Sequence, residues 1–299
     1  MRLDDEQESR NIESQRGSGG GGFQLGGMGG GGGPLGLIFS LVASRFGIIG
    51  IIGFAVIMML MGGNPLSMLG GGGTGMAPPA ASPSATGQAA IRDETDRTVA
   101  KVLGSTERRW TDIFAAEGQK YPPPTLVFYD SNGMSGCGAA QSAMGPFYCP
   151  ADQKIYLDTT FFDELATRFG APGDFGMAYV IAHEVGHHIQ TITGISDKVR
   201  AAQQRTDEAG SNALQVKMEL QADCYAGVWA ANDKNLLEAG DVEEGMRAAQ
   251  AIGDDTLQKA AGRRPVPESF THGTSAQRME WLQRGLKTGD PAQCDTFAS

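Results

Sequence analysis

The chain reads as an α+β domain, mostly helical with a small sheet, carried behind a glycine-rich N-terminal region and one transmembrane helix. Three observations carry that reading. Short apolar runs bounded by turn residues, TLVFYD (125–130) and KIYLD (154–158), all precede position 159. Beyond it the apolar spacing is helical almost to the end. Glycine, 44 residues in all, crowds into the first 75 positions. A few strands followed by a run of helices is the α+β pattern, and a glycine tract cannot bury enough side chain to belong to a core.

Residues 1–34 combine a polar, charged head, MRLDDEQESRNIESQR, with that glycine tract, and they read as disordered. Residues 35–62 hold one charge, Arg45, among apolar residues. Roughly 20 such residues cross a bilayer core, so this segment is expected to be a single membrane span. A signal peptide fits less well, because the run is long, starts far from the N-terminus and has no small-residue cleavage pattern directly after it. Arg2, Arg10, Arg16 and Arg45 precede or open the span, and the next basic residue is Arg92. The positive-inside rule then puts the N-terminus in the cytoplasm and the body outside it. Residues 63–89 read as a Gly/Pro/Ala linker, and the folded domain is expected over 90–299.

Within that domain Val99, Val102, Leu103, Trp110, Ile113 and Phe114 recur at helical spacing over 91–118. The turn-rich stretch between the two strands leaves room for one more strand around Phe147–Tyr148. After Asp158 the helical segments are expected near 159–169, 175–194, 212–232, 241–262 and 276–287.

A net charge of -10 excludes a nucleic-acid partner, since nothing would neutralise phosphates. The four cysteines, Cys137, Cys149, Cys224 and Cys294, form no C-x-x-C pair, which rules out zinc-ribbon and thioredoxin patterns. Their even number suits disulfides in an oxidising compartment. Three pairings are open, as are four buried thiols. Cys137 with Cys149 closes a short loop and leaves Cys224 with Cys294.

The chain has four histidines, and three of them fall in VIAHEVGHHIQ (180–190). His183-Glu184-Val185-Gly186-His187 is an H-E-x-x-H pattern. Residues four apart share a helix face, so His183 and His187 can each offer a ring nitrogen to one metal ion. Catalytic zinc takes three protein ligands and keeps one open position. Glu184, beside that position, is placed to take a proton from water and hand it to a leaving amine. His188 points about 100° away from His187, since successive helix residues are 3.6 to the turn, and reads as a packed or supporting histidine.

The H-E-x-x-H-x-x-G-x-x-H arrangement fails, because Gln190 and Thr193 stand at its glycine and last-histidine positions. MELQADCYAG (218–227) offers the third ligand instead. Glu219 and Asp223 share one face of an otherwise apolar helix, where two carboxylates are costly unless paired or metal-bound. Glu219 fits a ligand, and Asp223 fits the acceptor of a ligand histidine's second N–H. The bland alternative is a solvated face. In FTHGTSAQR (270–278), His272 and Arg278 are candidate donors to an oxyanion. The same stretch also suits a helix-entry turn capped by Thr274 or Ser275.

Together, AHEVGHHIQ, ELQADCYAGVW and HGTSAQR resemble the neutral zinc metallopeptidase family, bacterial single-pass proteins with a charged head, a glycine-rich tract and an H-E-x-x-H domain. The resemblance covers nearly the whole chain. More distantly, the order H-E-x-x-H, E-x-x-A-D, then a histidine six before an arginine is similar to the CAAX prenyl endopeptidase group of gluzincins. These resemblances imply a zincin-like (gluzincin) fold and zinc held by His183, His187 and Glu219. They also imply Glu184 as general base, Asp223 orienting a ligand, and His272 and Arg278 assisting the transition state. They place the protein in the inner membrane with its catalytic domain in the periplasm, acting on a protein or peptide laid along an edge strand within 146–158. Gly273 stands where the distant group has proline, and that group has several spans, so its prenylated substrates do not carry over. A non-catalytic zinc-containing scaffold is the rival reading, against which the intact Glu184 stands. A transporter component finds no support in one span with a single charge.

Overall fold

A computed structural model describes residues 1–17, 83–233 and 235–298. The expected glycine tract, membrane span and most of the linker lie outside the described residues. No helix among the described residues is long and apolar enough to cross a membrane.

The α+β reading holds. Strands β1 (Ile12–Ser14), β2 (Ala85–Thr86), β3 (Thr125–Phe128), β6 (Phe147–Cys149) and β7 (Lys154–Leu157) form one sheet in the order β2-β1-β3-β7-β6. β4 (Asn132–Ser135) and β5 (Gly138–Gln141) make a separate hairpin. β1, β3 and β7 run parallel, and β2 and β6 close the two edges antiparallel. The hairpin was not expected, because its strands, NGMS and GAAQ around a Gly136-Cys137 turn, hold few apolar residues to alternate.

Helix α1 (Glu94–Ala116) starts at Asp93, whose side chain accepts from the Asp96 N–H, and buries Val99, Val102, Leu103, Trp110 and Phe114 as its spacing demands. The rest of the body is α2 (Thr160–Thr167), α3 (Asp174–Ile192), α4 (Ile195–Gln203), α5 (Glu208–Asn232), α6 (Asp241–Ala251), α7 (Asp254–Ala260) and α8 (Ser275–Thr288). Gly253 breaks the expected helix over 241–262 into α6 and α7. Thr274 caps α8 in a reciprocal box with Gln277. α5 and α8 meet backbone to backbone. A Cβ on Gly285 would overlap the Cys224 carbonyl, and one on Gly227 would lie 2.3 Å from the Leu282 oxygen. This contact carries Arg278 to Asp223.

Two expectations about boundaries are overturned. Residues 1–34 were expected to be disordered, yet 1–17 belong to the fold. Ile12 is buried in the core, and β1 pairs with both β2 and β3. The Met1 nitrogen lies 3.0 Å from Asp174 Oδ2, at the start of the metal-motif helix. The domain also opens before Ala90, because β2 and the 3-10 turn Gly87–Ala90 come from the expected linker. The cause is the same in both cases: strands of two or three residues are stabilised by their partners and not by local pattern.

Disulfides join Cys137 to Cys149 and Cys224 to Cys294. The first ties the β4–β5 hairpin to edge strand β6, and the second ties α5 to the C-terminal segment. Their sequence separations are 12 and 70. Loop-closure entropy therefore assigns about 3 kcal/mol to the first and about 4 kcal/mol to the second. Replacing Cys224 and Cys294 together by alanine should lower the denaturant midpoint more than the same change at Cys137 and Cys149. Equal shifts would count against the loop-length account.

Candidate metal centre

Helix α3 sets His183 and His187 one turn apart, and α5 brings Glu219 across to them. Gly186 allows that approach, since a Cβ there would sit 2.9 Å from the Ala222 Cα. The three side chains converge as expected, with ligand atoms all within 4.8 Å of one another. His183 Nε2 lies 3.1 Å from both Glu219 Oε2 and His187 Nε2, and His187 Nε2 lies 3.5 Å from Glu219 Oε2.

The tautomers decide what this cluster can hold. Asp223 is fully buried, and its Oδ1 accepts from His183 Nδ1 at 2.8 Å. That leaves the His183 Nε2 lone pair pointing into the cluster. His187 Nδ1 donates at 2.9 Å to Gln190 Oε1. Gln190 is held in that sense because its Nε2 donates to the Met218 carbonyl and to Gln221 Oε1. The His187 Nε2 lone pair therefore points inward as well. Gln215 Nε2 occupies Glu219 Oε1 and leaves Oε2 facing the rings. With both rings neutral, two imidazole lone pairs and a carboxylate oxygen meet, which is a donor set for a metal ion such as zinc, and a bound cation takes the place of the proton that the cluster otherwise draws.

The electrostatics agree. Burial opposes charge on His183, but Asp223 and the Glu219 hydrogen bond overcome it and lift the ring to about 9. His187 is raised despite burial, through Glu219. Glu219, though buried, is held well below the ordinary carboxylate range by the two histidines. The pocket favours positive charge where the three ligands meet. Arg278 neutralises Asp223, while Glu219 keeps its negative charge among the ligand atoms, which suits a cation there.

Glu184 is buried and lines a cavity of about 440 Å³ together with His183, His187 and Glu219. His272 reaches the same cavity from the far side. Its Nδ1 lies 3.3 Å from Asp254 Oδ1, and Asp254 Oδ2 accepts the backbone N–H groups of Thr271, His272 and Gly273. One carboxylate thus sets both the loop and the ring, and leaves His272 Nε2 for the cavity.

Arg278 lines the same cavity and is anchored at its edge by Asp223. Its Nε and Nη2 fork the Asp223 carboxylate at 2.9 Å, Nη2 also donates to Tyr179 OH, and Nη1 donates to the Ile252 carbonyl. The side chain is 2% exposed. An aspartate buried behind a ligand histidine needs a counter-charge, and Arg278 supplies it. It holds Asp223, and through it His183. His188 is the supporting histidine expected. Its Nε2 donates to the Pro122 carbonyl, its Nδ1 accepts from Tyr148 OH at 3.1 Å, and burial keeps it neutral. That link ties β6 to α3.

A family model described as "Putative neutral zinc metallopeptidase" matches residues 1–297. The chain belongs to this zinc metallopeptidase family. The uncharacterized protein YpfJ of Escherichia coli K12 is 46% identical over 305 residues, covering 99% of each chain. The uncharacterized protein Rv2575 of Mycobacterium tuberculosis H37Rv is 43% identical over 192 residues, covering 60% of this chain and 64% of its own. No solved structure matches. Membership of a zinc metallopeptidase family implies zinc, and the converging lone pairs fit it.

Sequence reasoning missed Gln190, Tyr179 and Asp254. Gln190 and Tyr179 were within reach, at one helix turn after His187 and one before His183. Asp254 carried no signal, being on another helix. Replacing Gln190 by leucine should free the His187 ring and weaken zinc binding by about 10- to 100-fold. Competition with a chromophoric chelator reads this directly, and unchanged affinity would remove Gln190 from the ligand support.

Proposed function

We propose that the protein is a membrane-associated zinc endopeptidase of gluzincin type. His183, His187 and Glu219 hold the metal and Glu184 serves as general base. One observation carries the proposal: a metal donor set with both tautomers fixed, in the wall of an open cavity, with a buried carboxylate beside it. A structural site gains nothing from that carboxylate and usually closes with a fourth ligand.

Bound zinc supplies Lewis-acid chemistry, polarising a carbonyl and making water acidic enough to attack near neutral pH. The chain's own residues do the rest. Phe147 and Tyr148 of edge strand β6 line the cavity, with Pro146 just before it, so an extended peptide can add to β6 as one more strand. Glu184 takes the proton from the attacking water and returns it to the amine nitrogen as the C–N bond breaks. His272 donates from Nε2, as the imidazolium that the Asp254 hydrogen bond and Glu219 favour against burial, to the oxygen that becomes negative. The apolar run 35–61 associates the protein with the membrane, and the two disulfides support a body on its oxidising, periplasmic side.

The test is hydrolysis of an unfolded polypeptide by the purified full-length chain. Activity should vanish with a chelator and return with stoichiometric zinc. A zinc-loaded chain with no hydrolysis, in native membranes as well, would favour a scaffold.

A further inference from the structure

The N-terminal arm is locked into the body by contacts of a kind that exposed tails do not make. β1 lies inside the sheet, parallel to β3 with Ile12 opposite Leu126 and Ser14 opposite Phe128. Gln15 bonds the backbone of Met134 in both directions. The Arg16 guanidinium forks Asp96 at 2.5 and 3.0 Å, donates to Thr159 Oγ1 and lies over the Phe128 ring. Both members of that pair are buried, Arg16 at 3% and Asp96 at 0% side-chain exposure. Withdrawing the arm would leave Asp96 as a buried, uncompensated charge.

The chain leaves this arm and returns to it at one place. Glu13 pairs with Thr86 and Ser14 with Ala85. The Ser84 N–H donates to the Ser14 carbonyl at 2.6 Å, and Ser84 Oγ reaches the carbonyls of Ser14 and Arg16 at 2.8 Å. Residues 17 and 83 therefore flank neighbouring strands. A single crossing between them would separate the two by a hydrocarbon layer of about 30 Å, which hydrogen bonds cannot bridge. Returning by a second crossing would need about 20 further apolar residues, and the sequence between 18 and 82 has one apolar run.

We propose that residues 1–17 and 83–298 lie on the same face of the membrane. This rests on the membrane association proposed above and reverses the orientation read from the arginines. The reversal has a physical reason. Arg16 pairs with Asp96 and Arg2 with Glu238, so two of the four arginines behind that orientation are engaged within the fold.

The experiment uses the full-length chain in native membranes. Exposed Asp4→Cys and Arg264→Cys variants are treated with a membrane-impermeant maleimide, in spheroplasts and in inverted vesicles. In parallel, a Glu13→Cys/Thr86→Cys double variant is scored for a disulfide between the facing strands. Labelling of both sites from one face, with the cross-link formed, is the expected result. Labelling from opposite faces overturns the proposal, and so does absence of the cross-link in a chain that still holds zinc. Release of the chain by alkaline carbonate overturns the membrane association itself. A cross-link formed in the released chain would then assign the failure to that reading and not to the strand pairing.

Discussion

A Glu184→Gln chain is expected to keep its zinc and its thermal stability while peptide hydrolysis falls by about 10²-fold or more, the scale of a lost general base. Glutamine preserves the size of the side chain and its hydrogen-bonding capacity but takes no proton at neutral pH. Nothing in the metal cluster depends on Glu184, whose ligands are instead fixed by Asp223, Gln190 and Gln215. Zinc content by elemental analysis and the unfolding midpoint should therefore match wild type. The two proteins are assayed side by side on an unfolded polypeptide, with equal zinc. Equal rates would show that another group moves the proton. A loss of zinc would make Glu184 part of the binding site and not its base.

Replacing Arg278 by methionine should cost about 3–5 kcal/mol of stability, the usual loss when one member of a buried ion pair is removed. Asp223 is fully buried and accepts two hydrogen bonds of 2.9 Å from Arg278. The guanidinium holds that carboxylate below its ordinary range although burial pushes it up. Without Arg278, Asp223 is either an unpaired charge or a protonated acid that no longer fixes the His183 tautomer. Zinc affinity should fall with stability. Arg278→Lys keeps the charge and loses the fork, and should fall between the two. Adding Asp223→Asn to the methionine variant should recover part of the stability but not the zinc affinity, since a double change removes the orphaned charge. Denaturant unfolding measures this. A shift below about 1 kcal/mol for Arg278→Met would mean that the pair is not a significant stabilising element.

The sequence alone picked out the residues that converge as a candidate ligand set, His183, His187 and Glu219. His183, Glu184 and His187 lie within one turn, and Glu219 and Asp223 lie within another. Helix geometry turns such spacings into shared faces without any knowledge of the fold. The long helices and the β3 and β7 strands were legible for the same reason, because an apolar period repeats within the segment itself. Tertiary structure decided what depends on residues far apart in the chain. That Arg278 is the counter-charge of Asp223 follows only from the contact between Gly227 and Gly285, which places it there. Asp254 reaches His272 only because α7 packs against the loop before α8. The N-terminal arm is the clearest case. SRNIESQR is polar and has one large apolar residue, so no local pattern marks it as a strand. Its partners, Phe128, Asp96 and Ala85, are 70 or more positions away, and only the closed sheet, in which Arg16 meets a buried aspartate, makes this polar segment more stable inside the domain than in water.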